Sequence, residues 1–303
     1  MTHKSAFITI VGRPNVGKST LINALVGEKV AITSHHPNTT RGAIRGIITR
    51  PEFQLVITDT PGVHKPKSLL GGALNASVNE ALEDVDMAIL CIPADEKIGK
   101  GDEFIAKQLA SGSRMKKFCA VTKIDTVSKA QVAEQLVAVS KLAQRLGFEW
   151  SEVIPVSAKK EIQVPLLINL LARHAEEGPA FFPADMKSDQ ERDALIAELI
   201  REAAIAELFA EVPHSVAVVI DEIAQRDTKK LWDVHASLIV ERESQKAILI
   251  GKGGESLKAI GTRARSEIER ILGSKVFLGL QVSVLPNWQK DAKSLERLGI
   301  TQR

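Results

Sequence analysis

The nine residues GRPNVGKST, numbers 12–20, constrain the possible folds of this chain more than any other stretch in it. Gly12 and Gly17 enclose Arg13, Pro14, Asn15 and Val16, and Lys18 and Ser19 follow, so G-x-x-x-x-G-K-[ST] is met at every position. The run AFITIV before it has the apolar, β-branched character of a buried strand, and KSTLINALVG after it has helical spacing. Strand, glycine loop and helix in that order aim backbone N–H groups and a helix N-terminus at one point, which makes a cradle for phosphate. Lys18 then brings a point charge to the outer phosphates, Ser19 brings a hydroxyl for Mg²⁺, and Thr20 lies nearer the innermost phosphate.

Three later stretches bear on which nucleotide the loop holds. DTPG, at Asp59, Thr60, Pro61 and Gly62, ends the strand-like run FQLVITDT. Its carboxylate can sit in the Mg²⁺ shell through water, and the Gly62 amide can sense the outermost phosphate. TKID places Thr122, Lys123 and Asp125 at the end of FCAVT, where the Asp125 carboxylate can accept from guanine N1–H and the 2-amino group. Adenine has no such pair of donors, so a buried carboxylate there would be left unsatisfied. SAK, at Ser157, Ala158 and Lys159, follows the run EVIPVS, and the Ala158 N–H can donate to guanine O6. Each stretch alone is a common loop. In this order, each at a strand end, they point to GTP and GDP rather than ATP.

A length of 303 residues is about twice a domain of ~150, so two domains are expected. In the first half, AFITIV, FQLVITDT, MAILCI, FCAVT and EVIPVS alternate with helical segments, the pattern of a mostly parallel sheet with helices on both faces. The helical segments include LLGGALNASVNEALED and VPLLINLLARHAEEG. The first domain is expected over 1–178. GPAFFPADMKSD is rich in Pro and Gly and reads as a linker, 179–190. A smaller α+β domain follows over 191–288, in the order α-β-β-α-loop-α-β, with a tail at 289–303. Net charge is only +3, but it is segregated. Residues 189–228 carry 3 Lys and Arg against 10 Asp and Glu, whereas residues 229–303 carry 14 against 8. A basic C-terminal block makes an anionic partner such as nucleic acid a question to test, although solvated helix faces account for the charge equally well.

This set of motifs resembles the Era family, bacterial Ras-like GTPases that act in ribosome assembly, and the resemblance covers nearly the whole chain. It implies an α/β P-loop GTPase domain with a mostly parallel six-stranded sheet, then an α+β KH domain of type II. It also implies GTP hydrolysis to GDP and phosphate, with Mg²⁺ as cofactor. The partners it implies are single-stranded RNA at the 3′ end of 16S ribosomal RNA and the 30S subunit. The loop IGKGG is similar to the KH G-x-x-G loop, with Gly251, Lys252, Gly253 and Gly254 approaching the RNA backbone and Lys258, Arg263 and Arg265 neutralising phosphates. From the family, Thr40 in NTTRG is carried over as the switch residue that binds Mg²⁺, beside Thr39. Catalytic roles fall to Lys18, Thr40, Asn15 and Gly62.

Two positions depart from the family pattern or bear on catalysis. Thr122 stands where the guanine motif begins with Asn, which predicts weaker GTP affinity with selectivity kept through Asp125. Val63 stands where Ras-like GTPases carry the Gln that orients water. Hydrolysis then needs backbone groups, a partner or a second ion, and related GTPases with the Asn found here as Asn15 use K⁺. Asn15 is equally readable as a turn former. His64 is read as a solvated loop side chain rather than a base, and Arg41 and Arg45 as surface groups or charge neutralisers. Trp232 and Trp288 are read as packing residues.

Cys91 and Cys119 lie within apolar runs and read as buried thiols rather than a disulfide or metal pair. The start MTHKSAFITIVG lacks a secretory h-region, and no apolar stretch nears the ~18 residues that span a bilayer. A cytoplasmic monomer is expected, with a peripheral membrane fraction as the resemblance allows. The rival expectation is a GTPase whose second domain engages a protein or a membrane surface instead of RNA.

Overall fold

The computed structural model describes residues 2–34, 44–62, 70, 82, 85–111, 114–208, 215–226, 231–298 and 300. They form two compact units. The first holds the described residues up to Asp189 except 32–34 and Leu70, which group with the second.

The first unit is built on β1 (Lys4–Val11), α1 (Lys18–Val26), β2 (Ile44–Arg50), β3 (Phe53–Asp59), β4 (Met87–Pro93) and α2 (Lys100–Ser111). It continues with β5 (Lys116–Thr122), α3 (Lys129–Leu146), β6 (Glu152–Pro155), α4 (Val164–His174) and β7 (Glu176–Glu177). The strand order is β2-β3-β1-β4-β5-β6, parallel from β3 onward, with β2 antiparallel at the edge. All seven residues of β4 are buried because it lies mid-sheet with helices on both faces. Met87, Ile89 and Cys91 join a core with Leu21, Ile22, Leu167 and Leu171 of α1 and α4. Ala88, Leu90 and Ile92 join the opposite core with Ile105, Leu109, Val139 and Leu142 of α2 and α3. A period of two residues thus serves two cores, and each buried Leu or Ile contributes ~1.5–3 kcal/mol.

Three expectations change here. The sixth strand is β2, whose run IRGIITR gave no strand pattern of its own; it is defined by its full antiparallel register with β3. The helix expected to run to Gly178 stops at His174, and Glu176 and Glu177 pair antiparallel with Ser5 and Lys4, making a seventh strand. The segment expected as a linker is packed on the first unit as far as Asp189. Fully buried Gln54 accepts from the N–H groups of Phe181 (2.7 Å) and Phe182 (3.0 Å) and donates to the Phe182 carbonyl (2.8 Å). Lys187 accepts from Ile47 N–H at 2.8 Å. Such backbone pairing is invisible in a stretch without periodicity. The expected helix at 69–84 lies outside the described residues, apart from Leu70 and Leu82.

The second unit contains α5 (Arg192–Ala206), β8 (Ala217–Gln225), β9 (Leu231–Val240), α6 (Glu243–Ile250), α7 (Glu255–Leu272), β10 (Lys275–Val284) and α8 (Ala292–Arg297). Its sheet order is β10-β9-β8, with β9 parallel to β10 and antiparallel to β8. Ile196, Leu199, Ile200, Val234, Leu238, Leu249, Ile260 and Ile268 fill one core beneath the helices. Trp288 is fully buried with its indole N–H on the Ser215 carbonyl at 3.3 Å, so it is a core residue. Trp232 packs partly against the same core, beneath the Arg192 guanidinium 5.2 Å from its ring. The expected tail is structured past Trp288: Asp291 caps α8, and Leu295 is buried. Among the described residues no helix is long and apolar enough to cross a membrane.

Candidate nucleotide and RNA sites

The first unit's functional loops all leave the C-terminal ends of parallel strands, the edge at which open α/β sheets bind ligands. After β1 the chain turns tightly. A Cβ on Gly12 would lie 2.8 Å from a Val16 methyl and 2.9 Å from the Cys91 carbonyl oxygen. Asn15 (φ 64°) and Gly17 (φ 98°) are left-handed, and Gly17 leads directly into α1. Lys18 is buried, its Nζ donating to the carbonyls of Gly12 (3.2 Å) and Arg13 (3.0 Å). Burial lowers its pKa, and the nearby Asp59 charge pulls the other way. The Ser19 hydroxyl donates to Asp59 Oδ2 at 2.6 Å, and Asp59 is fully buried at the end of β3. Hydroxyl and carboxylate oxygens are the hard ligands that Mg²⁺ takes, so these two residues fit that ion. Thr60 donates to the Ile10 carbonyl at 2.7 Å, and a Cβ on Gly62 would lie 2.8 Å from Pro14, so the DTPG turn lies against the phosphate loop.

The loop after β5 is braced on the same structure. Thr122 Oγ1 donates to the Val16 carbonyl at 2.6 Å. Lys123 is left-handed (φ 56°), with Nζ 3.4 Å from Asp95 and 3.9 Å from Glu96. Asp125 stands in a single 3₁₀ turn, Ile124–Thr126, and its Oδ1 accepts from the buried Ser157 hydroxyl at 2.6 Å. Ser157 Oγ in turn accepts from Lys160 N–H at 3.1 Å. The TKID and SAK loops are therefore locked together, side chain to side chain.

In the second unit, the loop between α6 and α7 is held by glycine backbone. Gly251 (φ 72°), Gly253 (φ 62°) and Gly254 (φ 85°) take conformations that L side chains rarely adopt. Nothing lies within 4 Å of a Cβ on Gly253 or Gly254, so their backbone faces open space beside exposed Lys252. Lys258 and Arg265 are exposed on one stripe of α7, seven residues apart. Arg263 lies on a different stripe and pairs with Glu207 at 3.5 Å.

The 50S ribosome-binding GTPase family matches residues 7–123 and the KH domain family matches residues 211–289. GTPase Era of Streptomyces coelicolor is 49% identical over 301 residues, covering 98% of this chain and 95% of the relative. GTPase Era of Mycobacterium bovis is 53% identical over 298 residues, covering 97% and 98%. The chain belongs to the GTPase Era family. Era has been solved in complex with MgGDPNP and nucleotides 1506–1542 of 16S ribosomal RNA, and that structure is 35% identical with a TM-score of 0.94, covering 99% of this chain and all of that one. An Aquifex aeolicus Era variant bound to GDP·AlF4⁻ matches at 35% identity with a TM-score of 0.93 over 99% of this chain. Like its family, the chain is a GTPase: a P-loop GTPase domain precedes a KH domain.

For an Era-family member, the phosphate-loop and base-loop residues expected from sequence converge in the first unit, and the GKGG residues form one loop in the second. Thr40, Val63, His64 and Arg41 lie outside the described residues. Four expectations are refined. The Thr122 hydroxyl braces the phosphate loop, although the side chain is shorter than the Asn of the family pattern. Asp125 is exposed rather than buried, and its carboxylate is oriented by the Ser157 hydroxyl. Arg45 is committed to Asp189 at 2.7 Å, and Arg13, expected among the nucleotide-holding residues, has its guanidinium on Asp102 and Glu96. Asp102 has no sequence signature, because one carboxylate in an amphipathic helix is indistinguishable from any other. Cys91 and Cys119 are buried, and burial pushes the Cys91 thiol up to about 12.

Proposed function

We propose that the chain is a GTP-driven switch that binds the single-stranded 3′ end of 16S ribosomal RNA through its KH loop and assists 30S subunit assembly in the cytoplasm. The reading rests above all on one observation, the open glycine backbone at Gly253 and Gly254 beside Lys252, a shape that admits a sugar-phosphate chain. It is supported by the Era relative solved with 16S ribosomal RNA, which matches over the whole chain.

At the nucleotide site, Lys18 exchanges its carbonyl partners for β- and γ-phosphate oxygens, and its burial makes that charge pairing strong. Ser19 and Asp59, joined by Thr40, would hold Mg²⁺, which would supply charge neutralisation at the phosphates. Asp125 takes the guanine N1–H and 2-amino donors, and the Ala158 N–H takes O6. The backbone of Gly12 to Gly17 wraps the phosphates, Thr20 lies nearest the innermost, and Gly62 N–H meets the outermost. With Val63 in place of a glutamine, backbone groups would position the water, and Asn15 would hold a K⁺ whose positive charge would serve as an arginine finger does. Equal turnover in Na⁺ and K⁺ would remove the ion from this account.

Gly251, Lys252, Gly253 and Gly254 hold the RNA backbone, with Lys258 and Arg265 beside them. Arg263 contributes only on leaving Glu207. The test is binding of a 3′-end RNA fragment to the full chain with GDP or a non-hydrolysable GTP analogue. RNA affinity should differ between the two and collapse in Gly253→Asp. Affinity no better than for unrelated RNA sinks the proposal and favours a protein or peripheral membrane-surface partner.

A further inference from the structure

The side chain of Arg13 lies across the start of α2, where a Cβ on Gly101 would come within 2.7 Å of Arg13 Cδ. Its guanidinium is fixed from two sides. Nε donates to Asp102 Oδ1 at 2.8 Å, and Nη2 donates to Glu96 Oε2 at 3.0 Å. Asp102 is fully buried, and its other oxygen, Oδ2, accepts from Gly99 N–H at 2.9 Å, so one carboxylate both caps α2 and anchors Arg13. Glu96 extends the chain: Oε1 lies 3.9 Å from Lys123 Nζ, and Asp95 holds the same ammonium at 3.4 Å. Burial alone would lower the Arg13 pKa, but its bonds to Asp102, and then Glu96, hold it above its ordinary value. The segment that carries Asp95 and Glu96 is itself fixed, because buried Gln135 donates to the carbonyls of Pro93 (2.8 Å) and Glu96 (2.9 Å).

Arg13 follows the first glycine of the phosphate loop, and Lys123 stands two residues before Asp125. A continuous ionic chain, Asp102–Arg13–Glu96–Lys123, therefore runs from the loop at the phosphates to the loop at the base. We infer that this chain fixes the spacing between the two loops, and that Asp102 and Glu96 are positioning residues that slow nucleotide release without touching the nucleotide. A ligand held at both ends pays for any relative movement of its two grips in lost alignment, whereas a rigid pair of grips meets it ready-made. The inference rests on the reading that residues 12–19 hold phosphates and Asp125 the base.

The test is stopped-flow release of a fluorescent GDP analogue from the full chain in Mg²⁺ buffer. In Asp102→Asn the amide oxygen keeps the Gly99 bond, while the amide NH₂ faces Arg13 donor to donor. Release should quicken about tenfold, and in Glu96→Gln severalfold, the double variant falling short of the product because both cut one chain. In steady-state hydrolysis the loss falls more on KM than on kcat. Glu96 is exposed, so Glu96→Gln decides the matter even if Asp102→Asn fails to fold. Wild-type release rates in folded variants overturn the inference. Asp125→Asn separates the readings: if it loses GDP while the other two release GDP normally, only the positioning role fails. If it holds GDP like wild type, the nucleotide reading itself fails.

Discussion

At the residue scale, the most informative side chains are Thr122 and Lys18. The Thr122 hydroxyl is the brace between the base loop and the phosphate loop, and its acceptor, the Val16 carbonyl, belongs to a buried residue. Thr122→Val keeps the shape and removes the donor, so GDP affinity should fall by about 1–2 kcal/mol in a calorimetric titration. Lys18 places a cation in a buried pocket of carbonyls, and its folded pKa lies below the ordinary 10.5. The sign follows. Between the lowered folded value and 10.5 the unfolded chain binds the proton more tightly, so ligand-free stability rises with pH across that window and is lost as pH falls through it. Lys18→Met should therefore melt higher than wild type without nucleotide, yet gain nothing from added GDP in a thermal shift assay. An affinity built on a desolvated cation is stored as instability until the phosphate arrives.

At the element scale, the GKGG loop makes a prediction about its own glycines. Gly251 has φ 72° with ψ 176°, a region only glycine occupies, and a Cβ there would sit 2.8 Å from Ser256 Cβ. Gly253 is left-handed with open space around it. Gly251→Ala should cost about 2–3 kcal/mol of second-unit stability in urea unfolding, and Gly253→Ala about 1 kcal/mol. If the two cost the same, packing against Ser256 is not what selects Gly251. The elements that sequence made legible are those whose signal is local. β4 is a continuous apolar run, and the phosphate loop is a spacing of two glycines, a lysine and a serine. What stayed hidden depends on distant partners. β2 is a strand because β3 offers it a full antiparallel register, and Phe181 and Phe182 are held by the side chain of Gln54, more than a hundred residues away. The Arg13 anchor joins residues 89 apart in sequence. In sequence Arg263 is equivalent to Arg265, and only the Glu207 carboxylate 3.5 Å away sets it apart.

At the scale of the whole molecule, the two units divide the work: the two cores of the first carry the nucleotide loops, and the core of the second carries the KH loop. A γ-phosphate can influence RNA affinity only if it binds two states of the chain differently, so coupling has to appear as a difference in RNA affinity between GDP and GTP forms. If the KH loop takes RNA as proposed, the exposed cations on and after it, Lys252, Lys258 and Arg265, set the electrolyte response. RNA affinity should fall with log salt, and Lys258→Gln should flatten that slope by ~0.7, the share of one phosphate on a single strand, whatever RNA is offered. An unchanged slope with weaker binding would move Lys258 from phosphate contact to loop support.

The two thiols, buried in mid-sheet with Cys91 held almost permanently protonated, carry a practical consequence. Towards maleimides and iodoacetamides the native surface is a blank sheet. A single cysteine introduced at Lys252 would accept a spin label or fluorophore at that site alone, and the arrival of RNA on the loop could be followed with the wild-type background silent.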